Sequence, residues 1–218
     1  MTGPAGRRRY VLAGRLYDLV SLEPLLYRRP HRRLLEMLAL PPGATVVDVG
    51  CGTGLNFAST LAAIGPAGRI IGIDASSGML AAARRRVQVA GWDNVTLVAG
   101  DARDLLDLLA QIGAGSGDVD VLLATYVLSV LADDGPTWDA MNTMAAARAV
   151  LVGIADLGDP GRAPAVLRPF YRLLTILGGA DPTRRPWEHL AKLPGYRAET
   201  YLGGHVRLAT ATLDHTGR

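Results

Sequence analysis

An aspartate and three glycines spaced two apart make up Asp48-Val49-Gly50-Cys51-Gly52-Thr53-Gly54, directly after the β-prone pair Val46-Val47. Such a run predicts a buried strand, then a turn whose backbone passes very close to a ligand. Gly50, Gly52 and Gly54 suit that turn because glycine has no Cβ and tolerates positive φ. Thr53 or Gly54 is expected to open the following helix, whose first N–H groups have no intrahelical partner. The spacing excludes the dinucleotide fingerprint G-x-G-x-x-G, whose third glycine would fall on Leu55. A second acid, Asp74, ends strand-like Arg69-Ile70-Ile71-Gly72-Ile73, twenty residues after Gly54. At a strand tip its carboxylate can accept both ribose hydroxyl hydrogens of a nucleoside. A third, Asp101 in Gly100-Asp101-Ala102, follows strand-like Val95-Thr96-Leu97-Val98. The plainer readings are a solvated strand end for Asp74 and a helix N-cap for Asp101.

In this order and at these strand ends, the three features resemble the class I S-adenosylmethionine (SAM) dependent methyltransferases, whose motif I has the D-x-G-x-G-x-G form. The resemblance covers residues 45 to 130. It implies an α/β fold with a doubly wound, mostly parallel seven-stranded sheet (Rossmann-like) and an antiparallel terminal hairpin. It implies SAM as cofactor and S-adenosylhomocysteine as product. Cofactor contacts would come from Asp48, Gly50, Cys51, Gly52, Gly54, Asp74, Ala75, Met79, Gly100, Asp101, Ala102 and Thr125. Asp48 would anchor the glycine turn or meet the methionine amino group through water. Met79-Leu80 would border the adenine, and Asp101 with the Ala102 backbone would read it.

Methyl transfer from a sulfonium needs alignment and desolvation of a nucleophile more than any universal catalytic group. The resemblance puts the methyl group beside the end of the fourth strand, so Thr125, Tyr126 and Ser129 are candidates to orient a nucleophile. Tyr17, in Tyr17-Asp18, is similar to an aromatic that covers the methyl side in quinone and phospholipid methyltransferases; Tyr10 is a poorer match. Tyr27-Arg28-Arg29-Pro30 and Tyr126-Val127-Leu128-Ser129-Val130-Leu131 look like strings of phosphatidylethanolamine and betaine-lipid N-methyltransferases. His205, after Gly203-Gly204, is the candidate general base for an amine or phenol. His31 and His189 sit among charged residues and are weaker. The catalytic candidates are therefore Tyr17, Tyr126 and His205.

The elements that must position these residues alternate. Strands are expected at 45–49, 69–73, 95–98, 119–124 and 149–155, with helices at 53–64, 77–90, 103–111 and 137–147. Alternation with Val- and Ile-rich strands implies a parallel sheet covered on both faces. Before it, residues 10–40 show helical spacing split by Pro24 and Pro30 and stopped by Pro41-Pro42-Gly43. After it, 158–195 reads as an insertion with helical pieces at 166–177 and 187–193, and 197–202 with 205–213 as a hairpin. The expected organisation is a helical cap (1–40), a SAM-binding core (41–157), a lid (158–195) and a closing hairpin (196–218), all in one domain.

Composition narrows the function. With 218 residues, 49% of them hydrophobic, the chain can bury a substantial core. The net charge is only +3, Lys192 is the one lysine, and no basic-aromatic interleaving favours nucleic acid. Cys51 is the single cysteine, which excludes an intramolecular disulfide and leaves a small filler that a cofactor could alkylate. No His, Asp and Glu spacing suggests a metal, and the serine-hydrolase elbow G-x-S-x-G is missing. The apolar stretches 119–131 and 145–157 are too short to span a bilayer, so the expected location is cytoplasmic with at most peripheral membrane contact. The expected activity is methyl transfer to a small-molecule or lipid-like acceptor. Nitrogen is favoured, and O- or C-methylation of a quinone or secondary metabolite comes close behind. A SAM-binding protein without catalysis is the other alternative.

Overall fold

A computed structural model describes residues 27–181 and 183–214. Tyr17, Tyr10 and Pro24 lie outside the described residues. The elements run α1 (Arg28–Leu38), β1 (Thr45–Val49), α2 (Phe57–Ile64), β2 (Arg69–Asp74), α3 (Ser77–Ala90), β3 (Val95–Ala99), α4 (Leu105–Ala110), β4 (Val121–Thr125), α5 (Gly135–Thr143), β5 (Val150–Leu157), α6 (Arg168–Leu177), β6 (Arg197–Tyr201) and β7 (Val206–Leu213). The seven strands form one sheet in the order β3-β2-β1-β4-β5-β7-β6. β1 to β5 pair in parallel, and β7 runs antiparallel to both β5 and β6. This is the doubly wound, Rossmann-like sheet with a terminal hairpin that the sequence implies.

Every residue of β1 and β4 is buried, as expected of central parallel strands covered on both faces. α1, α2 and α3 cover one face, where Leu34, Leu38, Phe57, Ile64 and Leu80 are enclosed. α4 and α5 cover the other with Leu105, Leu109 and Met141. The strand order reverses between β1 and β4, and an open sheet of this kind binds its ligands beyond the carboxyl ends of the strands at that switch point.

Several boundaries shift by a few residues from the expectation, and three of the differences bear on the site. Pro30 does not split a helix; it lies in the first turn of α1, where its missing N–H would be unpaired anyway. The helix after the glycine turn begins at Phe57, not at Thr53 or Gly54, because three left-handed glycines carry the backbone through residue 54 first. His205 precedes β7 rather than beginning it. α3 keeps its expected bounds: Ser76 Oγ accepts from Met79 N at 3.3 Å, and Gly91 closes the helix at φ 66°.

α1 approaches the sheet closely because β5 carries Gly153 there. A Cβ on Gly153 would stand 2.7 Å from Leu38 Cδ1 and 3.4 Å from Leu34 Cδ1. Leu34 is fully enclosed. Leu34→Ala should therefore lower unfolding stability by about 3 kcal/mol through lost burial and a residual cavity. Urea denaturation measures this, and a change below about 1 kcal/mol would mean that α1 is not part of the core.

Candidate functional site

The glycine turn leaves β1 with φ of 69° at Gly50, 57° at Gly52 and 73° at Gly54. All three are left-handed, a conformation that side-chain-bearing residues seldom adopt. Their surroundings differ. A Cβ at Gly50 would fall 2.3 Å from Val127 Cγ2, and one at Gly54 would fall 2.5 Å from the Phe57 ring. A Cβ at Gly52 would meet nothing within 4 Å among the described residues. Gly50 and Gly54 are thus packed against protein, and Gly52 faces no described residue on its outer side. The turn is also tied to its neighbour strand, since Gly50 N and Cys51 N both donate to Ile73 O, at 2.8 and 3.0 Å.

Asp74 fastens the turn from β2. Its Oδ2 accepts from Gly52 N at 2.9 Å and its Oδ1 from Ser76 N at 2.8 Å. The side chain is half-buried rather than solvent-facing, and burial raises its pKa against the lowering effect of those two bonds. Asp48 lies beneath it, 2% exposed, with Oδ1 lacking a hydrogen-bond partner among the described residues. Burial, and then the charge of Asp74, push the Asp48 carboxyl up to about 7. Cys51 is buried and its thiol is pushed far up by the same desolvation. That disfavours the thiolate that alkylation needs and accords with Cys51 as a small filler in the turn.

On the β2–β3 side, Ala75 is exposed and Met79 is buried beneath the start of α3. Gly100 allows Leu108 to pack close, since a Cβ there would come 2.3 Å from Leu108 Cδ2. Asp101 takes its plainer role. It caps the 3-10 turn Ala102–Asp104 by accepting from Arg103 N at 3.0 Å, and it pairs with the Arg103 guanidinium at 2.6 Å. That pairing holds the carboxyl below its ordinary range.

Across the switch point, buried Thr125 Oγ1 accepts from Asn56 Nδ2 at 3.0 Å, joining the end of β4 to the loop before α2. Tyr126 then turns at φ 56° while its N–H donates to Ala155 O at 2.7 Å. A left-handed tyrosine costs about 1 kcal/mol or more, and the turn swings its ring against Tyr27, centroids 4.9 Å apart. Tyr27 Oη lies 3.0 Å from His205 Nε2, and Tyr171 stacks on His205 at 4.8 Å. His205 is fully buried, and burial lowers its pKa to about 4. Behind Tyr126, Ser129 donates through N and Oγ to Asp156, a fully enclosed carboxylate raised by burial to about 6. His189 stands apart, paired with Asp134 at 3.0 Å. His31 Nδ1 meets Ser59 Oγ at 3.1 Å beneath α1.

The structure therefore brings Asp48, the three glycines, Asp74, Thr125 and Tyr126 to one edge, with His205 at the end of β5 beside them. Sequence reasoning missed Tyr27 as a partner of His205, along with Asn56, Tyr171 and Asp156. Only Asp156 left a signal, as an acid within an apolar strand. Among the described residues no group of three His, Cys, Asp or Glu side chains is placed to hold a metal ion.

The unequal surroundings of the glycines give a direct test. Gly50→Ala adds left-handed strain and an overlap with Val127, and should cost about 3 kcal/mol. Gly52→Ala adds only the strain, about 1 kcal/mol. Thermal unfolding should rank the two in that order, and equal losses would refute an open side at Gly52.

Residues 46–151 match a family described as a methyltransferase domain. A demethylmenaquinone methyltransferase of Symbiobacterium thermophilum is 41% identical over 76 residues, 34% of this chain and 30% of the relative. A trans-aconitate 2-methyltransferase of Paracidovorax citrulli is 32% identical over 171 residues, 62% of this chain and 65% of the relative. The chain thus spans from under a third to about two thirds of the length of these curated relatives. A SAM-dependent methyltransferase from Aquifex aeolicus superposes with a TM-score of 0.62 at 17% identity, over 93% of this chain and 98% of that one. Residues 46–151 thus match a methyltransferase-domain family, and the chain has the fold of a SAM-dependent methyltransferase.

Proposed function

We propose that this protein transfers a methyl group from SAM to a small-molecule acceptor, at oxygen or carbon in preference to nitrogen. The observation that carries the reading is the open cradle at Gly52, rimmed by the Asp74 carboxylate and floored by the unpartnered Asp48 Oδ1. These features fit the cofactor. Asp74 keeps lone pairs for ribose hydroxyls, because each oxygen accepts only one backbone N–H. Asp48 supplies a buried acceptor for the cationic methionine end. Asp101, with Ala102, is the adenine-side pair once the Arg103 bond is shared or moved. When bound, SAM supplies an electrophilic methyl carbon on a sulfonium. The chain's own part is to align the acceptor and keep water from it.

Tyr126 and Tyr27 form the wall where the methyl group would emerge, and the insertion through Tyr171 closes behind His205. The choice of acceptor atom rests on basicity. An amine arrives as an ammonium and needs a proton acceptor, yet His205 is neutral, enclosed and held near 4. An acceptor that is already ionised, or a carbon activated by its own carbonyl, asks less of this site. The curated relatives are named for demethylmenaquinone and trans-aconitate, neither of them a protein or a nucleic acid, which supports a non-macromolecular acceptor.

Calorimetry with SAM and S-adenosylhomocysteine tests the cofactor half. Both should bind in the micromolar range, and Asp74→Ala should weaken binding at least tenfold. No binding of either would overturn the reading. Radiolabelled methyl transfer to phenol, carboxylate, enolisable-ketone and amine panels tests the rest. Binding without transfer to any panel would favour a SAM-binding protein, and transfer to amines alone would restore nitrogen.

Asp48 adds a pH signature. Its raised pKa means that ionising it opposes folding, so its contribution to stability falls as pH rises from about 4 through about 7. A bound cation favours the carboxylate and reverses that penalty. SAM affinity should therefore rise up to about tenfold between pH 6 and pH 8, and Asp48→Asn should flatten the profile. A wild-type profile already flat over that range would exclude Asp48 from the cofactor site.

A further inference from the structure

Five arginines among the described residues are half-buried: Arg33, Arg86, Arg168, Arg184 and Arg207. The first four each donate to a named acceptor. Arg33 reaches Glu199 at 2.6 Å, Arg86 reaches Thr53 O at 3.0 Å, Arg168 reaches Ala163 O at 2.9 Å, and Arg184 reaches Asp134 at 3.1 Å. Arg207 has no hydrogen bond or ion pair among the described residues, and its Nε is enclosed without a partner. A guanidinium drawn out of water and left without an acceptor is costly, so its position calls for an explanation.

The obvious partner is spent elsewhere. Asp156 faces Arg207 directly across the β5–β7 pairing. Its oxygens accept from Ser129 N at 3.0 Å, from Ser129 Oγ, and from Leu157 N at 2.8 Å. What supports the Arg207 head is an aromatic face, with Cζ 5.7 Å from the centroid of the Trp187 ring. A guanidinium held over an aromatic face can still present its terminal nitrogens, which unlike Nε are not enclosed, to a planar acceptor.

The place also matters. Arg207 sits near the carboxyl end of β5, one residue from Val206, which pairs with Leu157. Its stem passes Gly158, where a Cβ would fall 3.2 Å from Arg207 Cγ and 3.1 Å from Trp187 Cη2. Both glycine and tryptophan belong to the segment 158–195 that follows β5. Asp156 links the same spot to Ser129, three residues beyond the Tyr126 turn. The cation thus stands beside the carboxyl end of β5, on the β4–β5 side of the switch point and away from the glycine turn.

We propose that Arg207, held against Trp187, is the recognition point for a carboxylate on the methyl acceptor. This rests on the methyl-transfer reading above and narrows it to acceptors that carry a carboxylate. The single charge of one guanidinium matches a monoanion, and the planar fork matches a carboxylate in two parallel bonds. The carboxylate held there is an anchor that sets the distance of the acceptor from the methyl group, not the atom that is methylated.

The test uses the full chain loaded with S-adenosylhomocysteine. It is titrated with benzoate, 4-hydroxybenzoate, succinate and tricarballylate, with the matching amides, and with inorganic phosphate. At least one carboxylate should bind ten times more tightly than its amide. Arg207→Gln should erase that preference, and Arg207→Lys should restore it only in part, while S-adenosylhomocysteine affinity stays within twofold in both. Equal binding of acid and amide, no binding of any carboxylate, or a preference that survives Arg207→Gln would overturn the proposal. Binding of phosphate but no carboxylate would overturn it in favour of a phosphorylated acceptor. Loss of S-adenosylhomocysteine binding in the wild-type chain is a different failure, that of the methyltransferase reading.

Discussion

The bridge from Asp74 to two backbone N–H groups is the contact on which the cofactor edge depends. One carboxylate holds Gly52, in the turn after β1, and Ser76, in the turn after β2. Charge-assisted bonds of this kind are about twice as strong as neutral ones. They act on the one glycine of the turn that lacks close packing among the described residues. Three successive left-handed glycines carry a large backbone entropy cost, and Gly52 has no packing on its outer side. The bonds from Gly50 and Cys51 to Ile73 secure the inner side. The result is a backbone that is both fixed and bare, which a ligand can approach without displacing protein.

The same arrangement concentrates buried negative charge. Asp48 and Asp74 are close enough that each charge opposes the other, and burial opposes both. Cys51, between them in the chain, is held as a neutral thiol for the same reason. Such an edge is electrostatically complementary to a cation before any cation arrives, and the desolvation has already been met by the fold. Preorganisation of this kind strengthens binding without new contacts.

Much of this was legible in the sequence because it is local. The parallel sheet follows from apolar strands that alternate with helices, its doubly wound seven-stranded form from the family resemblance, and the cradle from glycine spacing within seven residues. The acids at 48 and 74 are read from their place at or near strand ends. The misses have physical causes of two sorts. Propensity placed the α2 start at Thr53, but positive φ at three glycines is incompatible with a helix, so α2 waits until Phe57. Pro30 looked like a break, yet a first-turn proline costs nothing. The second sort is tertiary. Nothing near His205 in the chain announces Tyr27, which is 178 residues away. Likewise Asp101 keeps its carboxylate on Arg103, two residues along, a bond that the motif alone does not reveal.

The two halves of the site are therefore encoded differently. The cofactor half is a backbone surface, and only a few residue types can build it, so a short string identifies it. Under the proposed function the acceptor half would draw on side chains at 27, 126, 171, 205 and 207, carried by the residue before α1, the turn after β4, α6, the approach to β7 and β7 itself. No spacing rule links these positions, and each alone reads as an ordinary core or surface residue. What marks them is cost: a left-handed tyrosine, an enclosed histidine nitrogen without a partner, and an arginine whose Nε has none. Tyr126 and His205 both pack on Tyr27, while Arg207 stands apart from them against Trp187; a stable fold seldom carries such penalties without a compensating role. The cradle carries costs of its own, three left-handed glycines and the buried Asp48 Oδ1. Under the proposed function both halves of the site are marked by what is locally unfavourable, and only the cofactor half also by a local sequence pattern.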